Sequence, residues 1–121
     1  MTITTLSILE STSVGTPSGN YDGSTNHFYS DAVKAVGYYR GQGNIETVTL
    51  QVTGFEGIIT IQATLDENPE LANWVEIDQY DSTGSPSTET YPITITGNFC
   101  FIRAYITDFD AGTINYVNIT Y

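Results

Sequence analysis

The run ETVTLQVTGFEGIITIQATL, Glu46 to Leu65, decides the fold class. Its first seven residues alternate: Val48, Leu50 and Val52 are apolar, and Thr47, Thr49 and Gln51 between them are polar. A period of two marks a β-strand with one face on a core and the other in water. IITIQATL repeats the pattern. Ile59, Ile61, Ala63 and Leu65 share one face, and Thr60, Gln62 and Thr64 the other. TGFEG, glycine-bearing near both ends, reads as a tight turn, so the two runs are expected to pair as a hairpin.

Working outward, NWVEIDQY is a third strand, with Val75 and Ile77 opposite Trp74 and Glu76. DSTGSPSTET is a loop by composition. TYPITIT follows as a strand in which Pro92 marks an edge or a strand start. FCFIRAYIT is apolar on both faces and is expected to be the most buried strand. DFDAG reads as another turn. TINYVNITY closes the chain, with Ile114, Tyr116 and Asn118 opposite Val117, Ile119 and Tyr121. Upstream, TITTLSIL is a strand or an arm, STSVGTPSGNYDGSTN a long loop, and Val33 to Tyr39 a short strand. No stretch carries a helical stripe, and only NPELANW has room for a single helical turn. The expected fold is an all-β antiparallel sandwich, jelly-roll-like, of seven or eight strands. Residues 1–36 are expected to form an N-terminal arm and loop that serves as a docking segment, and residues 37–121 the sandwich.

With 121 residues the chain is long enough for one modest core. Fourteen acidic against three basic side chains give a formal charge of -11. Lys34, Arg40 and Arg103 are too few for a basic stripe, which argues against nucleic acid as a partner and equally against anionic membranes. The single cysteine, Cys100, rules out an intrachain disulfide. The first residues lack the basic and apolar regions of a signal peptide, and no apolar run approaches bilayer length, so synthesis in a cytosol is expected.

Chemistry-bearing residues are sparse. His27 is the sole histidine and sits in the glycine- and serine-rich loop, a poor base for a nucleophilic triad. Cys100, between Phe99 and Phe101, reads as a structural thiol. The carboxylates of DENPE (Asp66, Glu67, Glu70) and of DFD (Asp108, Asp110) offer oxygen ligands but do not match a calcium loop. No flanking pattern selects a glycosidase pair. No enzyme activity, no metal and no cofactor is therefore expected, and DENPELAN reads as a solvated link stiffened by Pro69. The residues singled out for a ligand or an interface are Trp74, Tyr80, Tyr38, Tyr39 and Arg103, with Tyr29 a further aromatic. Trp74 falls out of phase with Val75 and Ile77, toward the side away from the core. Arg103 alternates with Phe99, Phe101 and Tyr105, and is expected to pair with a carboxylate or backbone oxygens or to send its head to the rim.

The succession from GYYRGQGN through GFEGIITIQATL and NWVEI to TGNFCFIRAYIT and the final strand resembles small structural proteins of tailed phages, especially marine T4-like cyanophages. The shared pattern lies on Gly54, Phe55, Gly57, Ile59, Ile61, Gln62, Ala63, Thr64 and Leu65, then Trp74 and Ile77, then Gly97, Asn98, Phe99, Ile102, Arg103 and Ala104. The pattern often carries Trp where this chain has Phe101. The likeness spans about Gly37 to Tyr121 and leaves residues 1–36 uncovered. It implies a virion structural protein without enzymatic activity, a surface decoration of capsid or tail, made in the host cytoplasm and partnered by other virion proteins and by copies of itself. The alternative is a carbohydrate-binding module of a fibre or baseplate.

Overall fold

The computed structural model describes residues 5–35, 45–70, 73–97 and 99–120. These residues form eight strands and no helix: β1 (Thr5–Leu9), β2 (Thr12–Ser13), β3 (Phe28–Tyr29), β4 (Val33–Lys34), β5 (Ile45–Thr64), β6 (Val75–Asp81), β7 (Ser87–Thr96) and β8 (Phe101–Thr120). All pairings are antiparallel within a single sheet. With no helix among them, none of the described residues forms a helix long and apolar enough to cross a membrane.

Two 20-residue strands, β5 and β8, are the frame, paired from Thr47↔Thr120 at one end to Thr64↔Phe101 at the other. Each bends in the middle. Here the structure corrects the sequence reading twice: TGFEG does not end a strand and DFDAG does not join two. In β5 the register shifts between Val52 and Phe55, and Gly54 takes a φ of 58°. In β8 the corresponding residues are Asp108, at a φ of 52°, and Gly112, at 86°. These are bulges, which insert a residue, bend the strand and flip its alternation. Val48, Leu50 and Val52 are buried before the bend in β5, and Phe55, Ile59, Ile61 and Ala63 after it, so the even positions hand the core to the odd ones.

The bends divide the sheet into two layers. In the first, β1 and β7 flank the C-terminal half of β8 and the N-terminal half of β5. In the second, β3, β4 and β6 flank the other halves. Apolar side chains from both layers form one core that includes Val48, Leu50, Ile119, Ile59, Ile61 and Ile102. The layers meet at the bends, where Phe55, Phe109 and Tyr80 pack with ring centroids 5.7 Å (Phe55–Phe109) and 6.3 Å (Phe55–Tyr80) apart. The all-β antiparallel sandwich is therefore built by folding one sheet on itself.

Two face assignments change. Leu65 lies beyond the end of β5 and is 68% exposed. Ile114 is buried with Val117 and Ile119, because the register shifts between Tyr116↔Gln51 and Ile114↔Val52. The N-terminal segment packs on the sheet. β1 to β4 all pair with β8, and Ile8, Leu9, Tyr21, Phe28 and Ala35 are core residues. An unpaired β8 edge would leave its backbone groups unsatisfied, and this segment covers it. Of the strand expected at Val33 to Tyr39, Val33–Lys34 is present, and residues 36–44, with Tyr38 and Tyr39, lie outside the described residues. The helical turn expected in NPELANW falls partly on residues 71–72, also outside them, and Pro69 and Glu70 form a turn.

Candidate functional site

The outer side of the second layer carries a ladder of stacked side chains. Tyr29 stands opposite Tyr105 across the β3–β8 pair, and their rings stack 4.2 Å apart at 13°. Arg103, two residues before Tyr105, projects on the same side. Its guanidinium lies 4.2 Å from the centre of the Tyr29 ring and 4.2 Å from the centre of the Trp74 ring. The order is Tyr105, Tyr29, Arg103, Trp74. Arg103 Nε donates to Gln62 Oε1 at 2.8 Å, across the β5–β8 pair in which Gln62 and Arg103 are direct partners. Guanidinium groups are weakly hydrated and stack well on rings, so among the described residues the cation is held by rings and an amide rather than by a carboxylate. Burial nonetheless disfavours the charged form and lowers its proton affinity, with Tyr29 acting in the opposite direction. Burial likewise raises the Tyr105 phenol, with Tyr29 adding to it.

The expected partner of Arg103, a carboxylate or backbone oxygens, is thus replaced by two rings and a side-chain amide. Trp74 falls on the outer side, as its phase predicts. Tyr80 does not join it. A bulge in β6, where Ile61↔Asp78 is followed by Gln62↔Glu76, reverses the alternation and turns Tyr80 into the core at 6% exposure. Its hydroxyl donates to Glu89 Oε1 at 2.6 Å and meets Ser87 Oγ. Burial, then the Glu89 contact, raises its phenol. Tyr29, 43% exposed and a further aromatic of the sequence reading, belongs to the site, and so does Tyr105, which was not among the candidates. The alternation Arg103–Tyr105 is the signal that finds the second. Tyr29 follows a loop-like segment whose composition hides the two-residue strand.

The outer side of the first layer is different in kind. Rows run across it: Thr94–Thr47–Thr120–Thr5, then Pro92–Thr49–Asn118–Ser7, then Thr90–Gln51–Tyr116. Side-chain hydrogen bonds join neighbours, including Gln51 Nε2 to Thr90 Oγ1 at 3.1 Å and Asn115 Nδ2 to Thr53 Oγ1 at 2.9 Å. These rows hold no charged side chain, on a chain with a net charge of -11.

The remaining candidates have local roles. Asp66 Oδ2 accepts from the Asn73 N–H at 2.9 Å and from Thr64 Oγ1, closing the link between β5 and β6. Cys100 is half-buried and its thiol donates to the Leu65 carbonyl at 3.3 Å. Burial, then Glu67 and Asp66, raises that thiol, which makes it a poor nucleophile. His27 is exposed beside Asn26. Among the described residues no three His, Cys, Asp or Glu side chains gather to hold a metal. A cleft of about 340 Å³ between β1 and residues 18–20 and 30–33 is lined by Ser7, Glu10, Asn20, Ser30 and Asp31 among others. Asn20 Nδ2 donates to Asp31 Oδ1 and to the Tyr29 carbonyl there, both at 3.0 Å.

Compared with known proteins, the chain matches no family model and no curated sequence.

Proposed function

We propose that the chain is a non-enzymatic structural protein of a tailed-phage particle, seated on the outer surface of capsid or tail. The observation that carries this reading is the uncharged, hydroxyl- and amide-bearing outer side of the first layer. Like charges meeting across an interface oppose assembly. A chain this acidic packs closely against neighbours only where its carboxylates are kept away, and these rows do that over four strands. The resemblance on Gly54 to Leu65 and Gly97 to Ala104 supports the same reading, and the acidic remainder suits a surface facing solvent rather than packaged DNA. The test is quantitative mass spectrometry of purified particles, counting this chain against the major capsid protein. A fixed stoichiometry is expected, and absence from the particle overturns the reading.

A second reading, glycan recognition, draws support from Trp74, Tyr29 and Tyr105 sharing one solvent-facing side. Sugars stack on free ring faces. Tyr29 has Tyr105 against one face and Arg103 against another part of its surface, and one face of Trp74 is taken by the guanidinium. The ladder itself therefore leaves uncovered only one face of Trp74 and one of Tyr105, at its two ends, with ring edges between. Quenching of Trp74 fluorescence by host glycans would restore the glycan reading.

A further inference from the structure

β1 is a free edge of the first layer: among the described residues it pairs with β8 alone. Alternate residues of such a strand direct their N–H and C=O away from the sheet, which makes a template for another strand. The other edges are blunted. β6 carries Glu76, Asp78, Asp81 and a bulge, β7 carries Pro92 and Glu89, and β3 and β4 are two residues each. β1, TLSIL, has neither a charge nor a proline. Its one irregularity, the register shift between Ser7 and Leu9, accompanies two successive buried side chains, Ile8 and Leu9. Both line the cleft of about 340 Å³ beside this edge. The lining divides by chemistry: Ile8, Leu9 and Val33 are apolar, and Glu10 and Asp31 are exposed carboxylates. Asp31 accepts from the Asn20 side chain at one oxygen only, and the Glu10 carboxylate has no hydrogen bond or ion pair among the described residues. None of the described lining residues is basic.

We infer that the β1 edge and its cleft bind an extended segment of another protein, added to the sheet as a strand, with a Lys or Arg side chain in the cleft. In strand addition the backbone bonds supply affinity, and a pocket beside the edge selects a side chain. Lysine and arginine have an apolar stem and a charged head. The cleft offers apolar side chains for the stem and two carboxylates for the head. An acidic side chain there would be repelled. Charge also decides against a second copy as the occupant. Lys34, Arg40 and Arg103 are its only basic residues, and Arg103 is held in the ladder. A net charge of -11 draws basic segments to the whole surface, so the test separates seating at β1 from charge attraction alone. The inference stands whether or not the chain belongs to a particle.

The probe is a capped synthetic peptide, Thr-Val-Thr-Lys-Thr-Val-Thr, titrated into the full isotope-labelled chain and followed by amide resonances. Saturable shifts are expected at Ser7, Ile8, Leu9, Glu10 and Asp31. Glu10→Gln combined with Asp31→Asn, both at exposed positions, is expected to weaken binding by about tenfold or more. The amide spectrum itself checks that this variant is folded. A peptide with Glu in place of Lys is expected to lose binding to a similar degree. Two N-methylated peptides, one for each alternate set of backbone nitrogens, keep the charge, and the one that blocks the bonded edge is expected not to bind. No shift at these amides up to millimolar peptide overturns the inference. So does binding that both N-methylated forms retain, which is charge attraction alone, or an affinity that the double variant leaves unchanged. Spermidine shifting the same amides as tightly as the peptide would make the cleft a small-amine site and overturn strand addition. Concentration-dependent shifts of these amides without peptide would make a second copy the occupant, and likewise overturn it.

Discussion

Gly112 in β8 lies against Gly54 in β5 so closely that a Cβ on Gly112 would collide with the Gly54 carbonyl group. The two bulged bends therefore cross at a point where β8 has no room for a side chain. This contact lets both long strands fold over together, and through them the two layers. Gly112 also holds a φ of 86°, which side-chain-bearing residues rarely adopt. Gly112→Ala is expected to combine backbone strain of about 1–3 kcal/mol with a clash that only a backbone shift relieves. Gly54 has a comparable φ of 58° but open space where its Cβ would stand. Gly54→Ala should cost only about 1–2 kcal/mol. Urea denaturation of the two variants checks the ordering, and equal losses would mean that the crossing is not tight.

Arg103 stabilises its own chain through the ladder. Replacing it with Met keeps an apolar stem and removes two ring contacts and the bond to Gln62. Each cation–ring contact is worth about 0.5–1 kcal/mol at a partly exposed site, and the hydrogen bond about 1 kcal/mol. Arg103→Met is expected to lose about 1–3 kcal/mol in chemical denaturation at low protein concentration. Emission from Trp74, the sole tryptophan, should shift, since the guanidinium leaves its ring face. An unchanged spectrum and midpoint would remove the ladder's structural role.

The apolar faces of the long strands were legible because Val48, Leu50 and Val52, and then Ile59, Ile61 and Ala63, keep their period locally. What was not legible is that they belong to one strand. Gly54 and Gly57 have the same composition whether a chain reverses or bulges, and only the pairing partner distinguishes the two. The Tyr80 misplacement has the same origin: parity counted from Trp74 sends it outward, and the single bulge at Ile77 sends it inward. The outward side of Trp74 and the shared side of Arg103 and Tyr105 were legible, since no bulge intervenes. Tyr29 joins them from a distant segment by tertiary pairing, which local pattern does not encode.

The first 20 residues are expected to be needed for stability. Their removal deletes β1, whose Ile8 and Leu9 are buried at 4% and 7% exposure. Each buried aliphatic side chain contributes about 1.5–3 kcal/mol. Removal also leaves the β8 positions Val117 to Thr120 without their partner on one side, an edge open to pairing with other chains. A chain beginning at residue 21 should melt lower or aggregate, as thermal denaturation and light scattering would show. A truncated chain that melts with the parent would return these residues to the role of an arm.

Asp22 shapes the loop between β2 and β3. Its Oδ1 accepts the backbone N–H of Ser24 at 2.8 Å and of Thr25 at 3.0 Å. Those two backbone bonds, Ser24 first, hold its carboxyl below the ordinary value of 3.8. A carboxylate whose folded value is depressed adds stability that is fully present above its unfolded value. That stability is lost as pH falls through the lower, folded value. The turn at residues 22–25 is therefore expected to persist on acidification to pH 3.8 and to loosen below it. The Ser24 and Thr25 amide resonances should titrate together with a midpoint under 3.8, and in Asp22→Ala they should not titrate over that range. A midpoint at or above 3.8 would mean that the two N–H groups do not hold the carboxylate in solution.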